Sequence, residues 1–403
     1  MTRPKCLAPL LLLLLLACTA STQEKVTVRA ALFPYLPPDR HNEALHERIT
    51  SEFHKANPDL KLELRRFDSW ENFYDPHFLT KLLRGADRYD IIEVDTVLLG
   101  TLLDLELVAP WPAPLSDAQP IARDAARVDG ITYGMPHWLC GHFVMSTHQK
   151  VAAAESASQL VAALEAAAPG TRNLAANLRG SWNGPALYLD AWADSRSSND
   201  LLGAIRLPLD TDVAGLLAQV AAQGAFQGVN PCINGDYEDN DQAAIDFGTG
   251  KADALLGYSE RMHHAVAAGI DPTKVFVGSA PLGAGSDPIW FVDMFVLPGD
   301  YPDGVTPEEI KARREGARRF GEFMNRADVF AWIHQSADLG AKAAPRYLLP
   351  ATRSAYEHPA LARDPIIGQV RPLVGRGTFF PRFRLPGARK RMEAAVNRAI
   401  GAK

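Results

Sequence analysis

The feature that most constrains this chain is the alternation of strand-like and helix-like runs through its first third. Lys25 to Phe33 (KVTVRAALF) is rich in β-branched and apolar residues and reads as a strand. After the turn PYLPPD, residues 41–56 place Leu45, Ile49 and Phe53 four apart on one helical face. Leu60, Leu62 and Leu64 then alternate with charged neighbours as a second strand. Residues 73–84 suit a helix, and Tyr89 to Val94 (YDIIEV) a third strand ending at Asp95. Strands and helices in this order predict α/β layers over a mostly parallel sheet.

The middle of the chain continues with helices over 149–167, 212–223 and 240–252, the last leading into a short strand from Asp253 to Gly257. Pro and Gly cluster at 169–185 and 228–236, which read as loops. Thr306-Pro307-Glu308-Glu309 is a helix start, with Thr306 as cap and Glu309 closing a capping box. The expected architecture is a two-lobed, periplasmic-binding-protein-like α/β fold of type II with its ligand cleft between the lobes. Residues 25–130 and 276–330 are assigned to one lobe, and 131–275 and 331–403 to the other. Ligand sites in open α/β sheets lie beyond the carboxyl ends of strands.

The chain has 403 residues and a formal net charge of -5, with 47% apolar and 22% charged residues. It is too apolar for disorder and has no long basic run, which argues against nucleic acid as a partner. Arg3 and Lys5 precede seven leucines, Leu10 to Leu16, so residues 1–20 have the shape of an export signal. Leu15-Leu16-Ala17-Cys18 has the form of a bacterial lipoprotein cleavage box, with Cys18 as the lipidated residue; simple cleavage near Ala20 is the alternative. The expected location is the periplasm, the cell surface by way of the lipid, or the medium. Cys6 and Cys18 belong to the export segment, leaving Cys140 and Cys232 as free thiols or one disulfide.

Aromatic residues gather at the expected strand mouths: Phe33, Tyr35, Trp70, Tyr258, Trp290 and Phe291. They suit either core packing or the stacking of a flat ring. Asp68, Asp95, Glu260 and Asp293 are the carboxylates of interest. Asp95 and Asp293 each follow apolar runs, so each must be paired, capping a helix or functional. Cys140 lies in GMPHWLCGH, where His137, His142 and Glu260 are the groups available to activate a thiol. A buried inert thiol, a disulfide with Cys232 and a metal ligand are the alternatives. The acidic run from Asp236 to Asp241 reads as a solvated helix start rather than a calcium loop.

Together the stretches ALFPYLPPD (31–39), FDSW (67–70), YDIIEVDTVLL (89–99), ITYGMPHWLC (131–140), ALLGYSE (254–260), IWFVD (289–293) and PRYLLPATRSAYE (345–357) resemble the thiamine pyridinylase (type I thiaminase) family. The resemblance implies an exported transferase on a binding-protein scaffold, without metal or organic cofactor. In that family a cysteine adds to the pyrimidine of thiamine and the thiazole is displaced by an amine or thiol. Cys140 falls on the nucleophile and Glu260 on the acid/base. Asp95 and Asp293 fall on carboxylates that hold the aminopyrimidine. Tyr35, Asp68, Trp70, Tyr258 and Phe291 fall on the pocket. The partners so implied are thiamine or a pyrimidine analogue and the second nucleophile, with the protein acting as a monomer.

Three positions depart from the family pattern. Phe33, Trp70 and Phe291 stand where relatives carry tyrosine, and Tyr237 is the tyrosine nearest a further family frame beside Asp241. Two rival readings share the scaffold. One is a solute-binding lipoprotein delivering a thiamine-like, sugar or other small ligand to an importer. The other is a sugar-active hydrolase with paired carboxylates.

Overall fold

Val26, Thr27 and Val28 open the first strand, β1 (Val26–Ala31), as their branched side chains favour. The computed structural model describes residues 25–402 apart from 36–39, 66, 68–70, 86–87, 168–169, 181, 197–199, 239 and 380–384. The expected export segment with Cys18, and the site candidates Asp68 and Trp70, lie outside the described residues. In chain order β1 is followed by β2 (Leu60–Arg65), β3 (Ile91–Asp95), β4 (Val108–Ala109), β5 (Arg127–Val128), β6 (Ile131–Thr132) and β7 (Met135–Cys140). Then come β8 (His142–Ser146), β9 (Arg172–Ala176), β10 (Ala252–Tyr258), β11 (Phe276–Ser279), β12 (Ile289–Pro298), β13 (Leu349–Pro350) and β14 (Thr378–Phe379).

Two sheets organise the molecule. The larger has the order β13-β7-β12-β3-β1-β2, with β4 and β14 also pairing with β12. The smaller has the order β11-β8-β10-β9. Both are mixed, which corrects the expectation of a mostly parallel sheet. β12 runs antiparallel to β3, β4 and β7, and β8 antiparallel to β10 and β11. All ten residues of β12 are buried, and a strand covered on both faces carries no alternation from which a direction can be read.

The chain changes sheet at Gly141, between β7 and β8, and returns between β11 and β12. These crossings differ from the segment edges drawn near 130 and 275. Met135–Cys140 pairs with β12 in the larger sheet, and Phe276–Ser279 with β8 in the smaller. β13, drawn with the second lobe, pairs with β7.

Helices cover both sheets. Arg40–Ala56 buries Leu45, Ile49 and Phe53, the face read from their spacing. Helix Pro307–Met324 begins as expected: the Thr306 side chain accepts from the Glu309 N–H at 3.2 Å, and Phe320, Phe323 and Met324 are buried. The single helix expected over 149–167 is two, Gln149–Ala152 and Ala157–Glu165, because Ser156 caps a fresh start through the Gln159 N–H. The loop expected at 169–185 contains β9, whose sequence RNLAA lacks β-branched residues and is held by β10. Neither described cysteine is in a disulfide: Cys140 ends β7, and Cys232 is buried with its Sγ 3.5 Å from the Leu174 carbonyl on β9.

Candidate active site

The register of three strands assembles one half of the site. Asp293 on β12 lies opposite Asp95 on β3 and Trp138 on β7, and Phe291 lies opposite Cys140. Side chains alternate along strands, so these residues form two adjacent rows on one face of the larger sheet. Directly opposed side chains have Cβ atoms about 5 Å apart, which sets the two carboxyl groups side by side. Asp95 caps the short turn Thr96–Leu98, accepting from the Val97 N–H at 2.9 Å, and also accepts from the Tyr74 hydroxyl at 3.1 Å. Asp293 has Oδ1 buried with no partner among the described residues.

Burial lifts both acids out of the usual carboxylate range. Asp95 is pushed up to about 7. Asp293 goes well above its usual value, by burial first and then by the charges of Asp95, Glu93 and Glu260. Adjacent buried carboxyls do not both ionise cheaply, so the pair shares a proton.

Cys140 is partly exposed at the end of β7. The glycine after it sits close to β12: a Cβ on Gly141 would lie 3.2 Å from the Ile289 carbonyl oxygen and 3.5 Å from the Trp290 ring. Burial pushes the Cys140 thiol well up, and the charges of Glu260, Asp293 and Asp95 push it further, opposed by Arg261. The resting sulfur is therefore a neutral thiol.

The smaller sheet supplies the other half. β10 ends at Tyr258, opposite His142 on β8, and the turn Ser259–Arg261 carries Glu260. The Ser259 hydroxyl anchors that turn by donating to the Tyr347 carbonyl at 2.9 Å. Glu260 is buried and raised in pKa by that burial, with Arg261 and His142 acting against the rise. Its Oε2 and the Tyr258 hydroxyl are buried without partners among the described residues. Tyr258 stacks on His142 at 4.3 Å and meets Phe291 edge-on at 6.2 Å.

Several of the singled-out side chains are held by buried neighbours. Tyr35 is buried and gives its hydroxyl to Glu93 at 2.7 Å. Trp290 is sealed in the core and donates to the Arg376 carbonyl at 2.8 Å. Tyr237 is buried and donates its hydroxyl to Asp246 at 2.7 Å. Asp241 pairs with Arg261 at 2.7 Å. His137 and His142 both turn to carboxylates: His137 Nδ1 is 2.6 Å from Glu93, and His142 Nδ1 is 2.5 Å from Asp190.

Glu93, Asp190 and Tyr74 are the residues the sequence reading missed. Glu93 carried the signal that singled out Asp95 and Asp293, a charge within an apolar run. Asp190, the single charge in ALYLDAWA, carried it too, and Tyr74 carried none. Tyr74 packs on Trp182 at 4.5 Å, joining the segment after β2 to the helix Asn183–Ser195. Among the described residues no group of three or more His, Cys, Asp or Glu is arranged to hold a metal ion.

No protein-family model matches the chain, and comparison with curated proteins finds no match. Solved structures match nearly all of it. Thiaminase I from Bacillus thiaminolyticus shares 22% identity at a TM-score of 0.69, with 93% of this chain and 100% of that one covered. Thiaminase I from Clostridium botulinum, in complex with thiamin, shares 18% at 0.70, covering 93% and 98%. The GacH receptor of Streptomyces glaucescens, solved unliganded and with acarbose, shares 16% at 0.66, covering 93% and 94%. At these identities the likeness establishes the periplasmic-binding-protein fold.

Proposed function

We propose that this chain is a thiamine-cleaving transferase in which Cys140 is the nucleophile and Glu260 the acid/base. The reading is supported by a partly exposed free thiol at the end of β7 and by Glu260, a buried carboxyl group whose Oε2 has no partner among the described residues. Of the charges acting on the thiol, that of Glu260 is the strongest.

A thiol held neutral by burial, and further by neighbouring carboxyl groups, needs its proton removed as it attacks. Glu260, raised by burial, is suited to accept that proton and later return it. Asp293 can donate to a ring nitrogen, making the pyrimidine electrophilic, while Asp95 can accept from an exocyclic amine. The thiazolium brings a positive charge among these acids, and a cation there favours both ionised Asp95 and developing thiolate. In the exchange, sulfur bonds to the pyrimidine and its proton passes to Glu260. Thiazole leaves with the electron pair of the C–N bond. The incoming amine or thiol supplies the new bond pair and releases its proton to solvent, and Glu260 reprotonates the departing sulfur. Tyr258 and Phe291 flank the ring; Phe291 does so without the hydroxyl of the family's tyrosine.

The second reading, a binding protein for a small solute, draws support from the GacH receptor, which matches about as well as the thiaminases do. Purified protein mixed with thiamine and aniline separates the two. Displaced thiazole is expected. Tight thiamine binding with no thiazole from several amine and thiol donors would leave the binding-protein reading. The expected export places either activity outside the cytoplasm. No helix among the described residues is long and apolar enough to cross a membrane.

A further inference from the structure

One carboxyl group near the site is held more completely than the others. Glu93 is fully buried on β3, two residues before Asp95 and so on the same face of the strand. It accepts from the Tyr35 hydroxyl at 2.7 Å, His137 Nδ1 at 2.6 Å, the Trp138 indole N–H at 3.1 Å and the Phe33 backbone N–H at 3.1 Å. Donors on every side fit the anionic carboxylate, which is acceptor-only, and not the acid, which has a proton to place. Two of these donors bound the site. Trp138 lies across from Asp293, and the Tyr35 ring meets Trp138 edge-on at 6.1 Å. Phe295 faces Glu93 and Asp293 faces Asp95, so Glu93 is the diagonal neighbour of Asp293.

We propose that Glu93 is a positioning residue: it orients Tyr35 and Trp138, and its fixed negative charge beside the Asp95–Asp293 pair makes that pair hold its proton. The proposal deepens the reading above and rests on it, since that reading has Asp293 donate to the substrate ring. The groups facing Glu93 are Tyr35 beyond β1, His137 on β7, Asp95 on its own strand and Asp293 on β12. Arg346, a cation that acts on Tyr35, is committed to Asp338 through two bonds of 2.7 Å. A fixed negative charge beside two buried acids makes them hold a proton more firmly, and Glu93 neighbours both, Asp95 along β3 and Asp293 across the strand pair.

Glu93→Gln removes the charge and keeps an acceptor; Glu93→Asp keeps the charge. Infrared spectra of the purified full chain, titrated with pH, read the carbonyl band of the buried acid, and Asp293→Asn identifies which band is Asp293. In Glu93→Gln that band should titrate at least about one pH unit lower than in the wild type, with Glu93→Asp close to the wild type. The alkaline limb of neutral aminopyrimidine binding should move to lower pH in parallel. An unshifted band in folded Glu93→Gln overturns the proposal. If that variant does not fold, Tyr35→Phe and Trp138→Phe each withdraw one donor, leave the Glu93 charge less neutralised and should move the band to higher pH; no movement in either overturns it. The infrared band requires no thiamine chemistry. Failure to release thiazole in the wild type therefore strikes the functional reading and leaves the pair's hold on its proton to be judged by the band.

Discussion

Two histidine–carboxylate pairs flank Cys140, three residues before it and two after, and they differ in everything but their bond length. His137 meets Glu93 at 2.6 Å on the larger sheet, and His142 meets Asp190 at 2.5 Å on the smaller. The first pair is sealed: neither side chain has exposed surface, Glu93 gathers three further donors, and His137 Nε2 is buried without a partner among the described residues. The second is looser. Asp190 receives, besides His142, the Ile289 N–H at 3.2 Å, and His142 stacks on Tyr258 while lining a pocket with Asn177, Asn183 and Arg261. The same chemical pair is thus sealed on one side of the thiol and lies beside a small pocket on the other. The difference lies in how many donors the carboxylate collects and whether the imidazole reaches a cavity.

The sharpest tests act on the groups between the two pairs. Cys140→Ser should lower thiazole release by at least about 10³-fold while leaving thiamine affinity within severalfold. Equal loss of affinity would place the thiol in binding rather than in chemistry. On the sealed side, Glu93→Leu strands three buried side-chain donors and should destabilise the fold by about 3–5 kcal/mol in urea titration. A loss under about 1 kcal/mol would erase the contrast between the pairs.

On the looser side, His142→Asn should cost only about 1–2 kcal/mol of stability, the worth of one hydrogen bond and one ring stack. Its larger effect should be on turnover through Tyr258 and Glu260. A stability loss equal to that of Glu93→Leu would make the two pairs alike. The Asp95–Asp293 row predicts a pH dependence of stability. Asp95 stands at about 7 in the fold against 3.8 ordinarily, so the native state binds the extra proton between those values. The contribution is fully present below about pH 4 and is lost as pH rises through about 7. Asp293, raised further, extends the loss upward. Asp95→Asn should flatten the urea midpoint across this window. Thr306→Ala, remote from both pairs, should cost about 1 kcal/mol through its lost cap and leave these pH profiles unchanged.

Local order was legible where it depends on neighbours in the chain. The helix face of Leu45, Ile49 and Phe53 and the cap at Thr306 are decided within a few residues, and both are found as read. Asp95 and Asp293 stood out because a charge in an apolar run must find a partner wherever it lands. Glu93 escaped notice although it sits in such a run, because its partners at Tyr35, His137 and Trp138 are brought to it only by strand pairing. Strand β9 was hidden for a related reason: its five residues have little preference of their own and take their shape from β10.

By itself the sequence determined the elements, the α/β class and the set of groups able to do chemistry, since spacing and burial propensity are written in adjacent residues. The tertiary structure alone decided which groups meet. Register at β12 brought Asp293 beside Asp95 and Phe291 beside Cys140, and the crossing at Gly141 joined the two sheets next to the thiol. Proton affinities came last. Burial and neighbouring charge set them, and neither exists until distant segments have packed together.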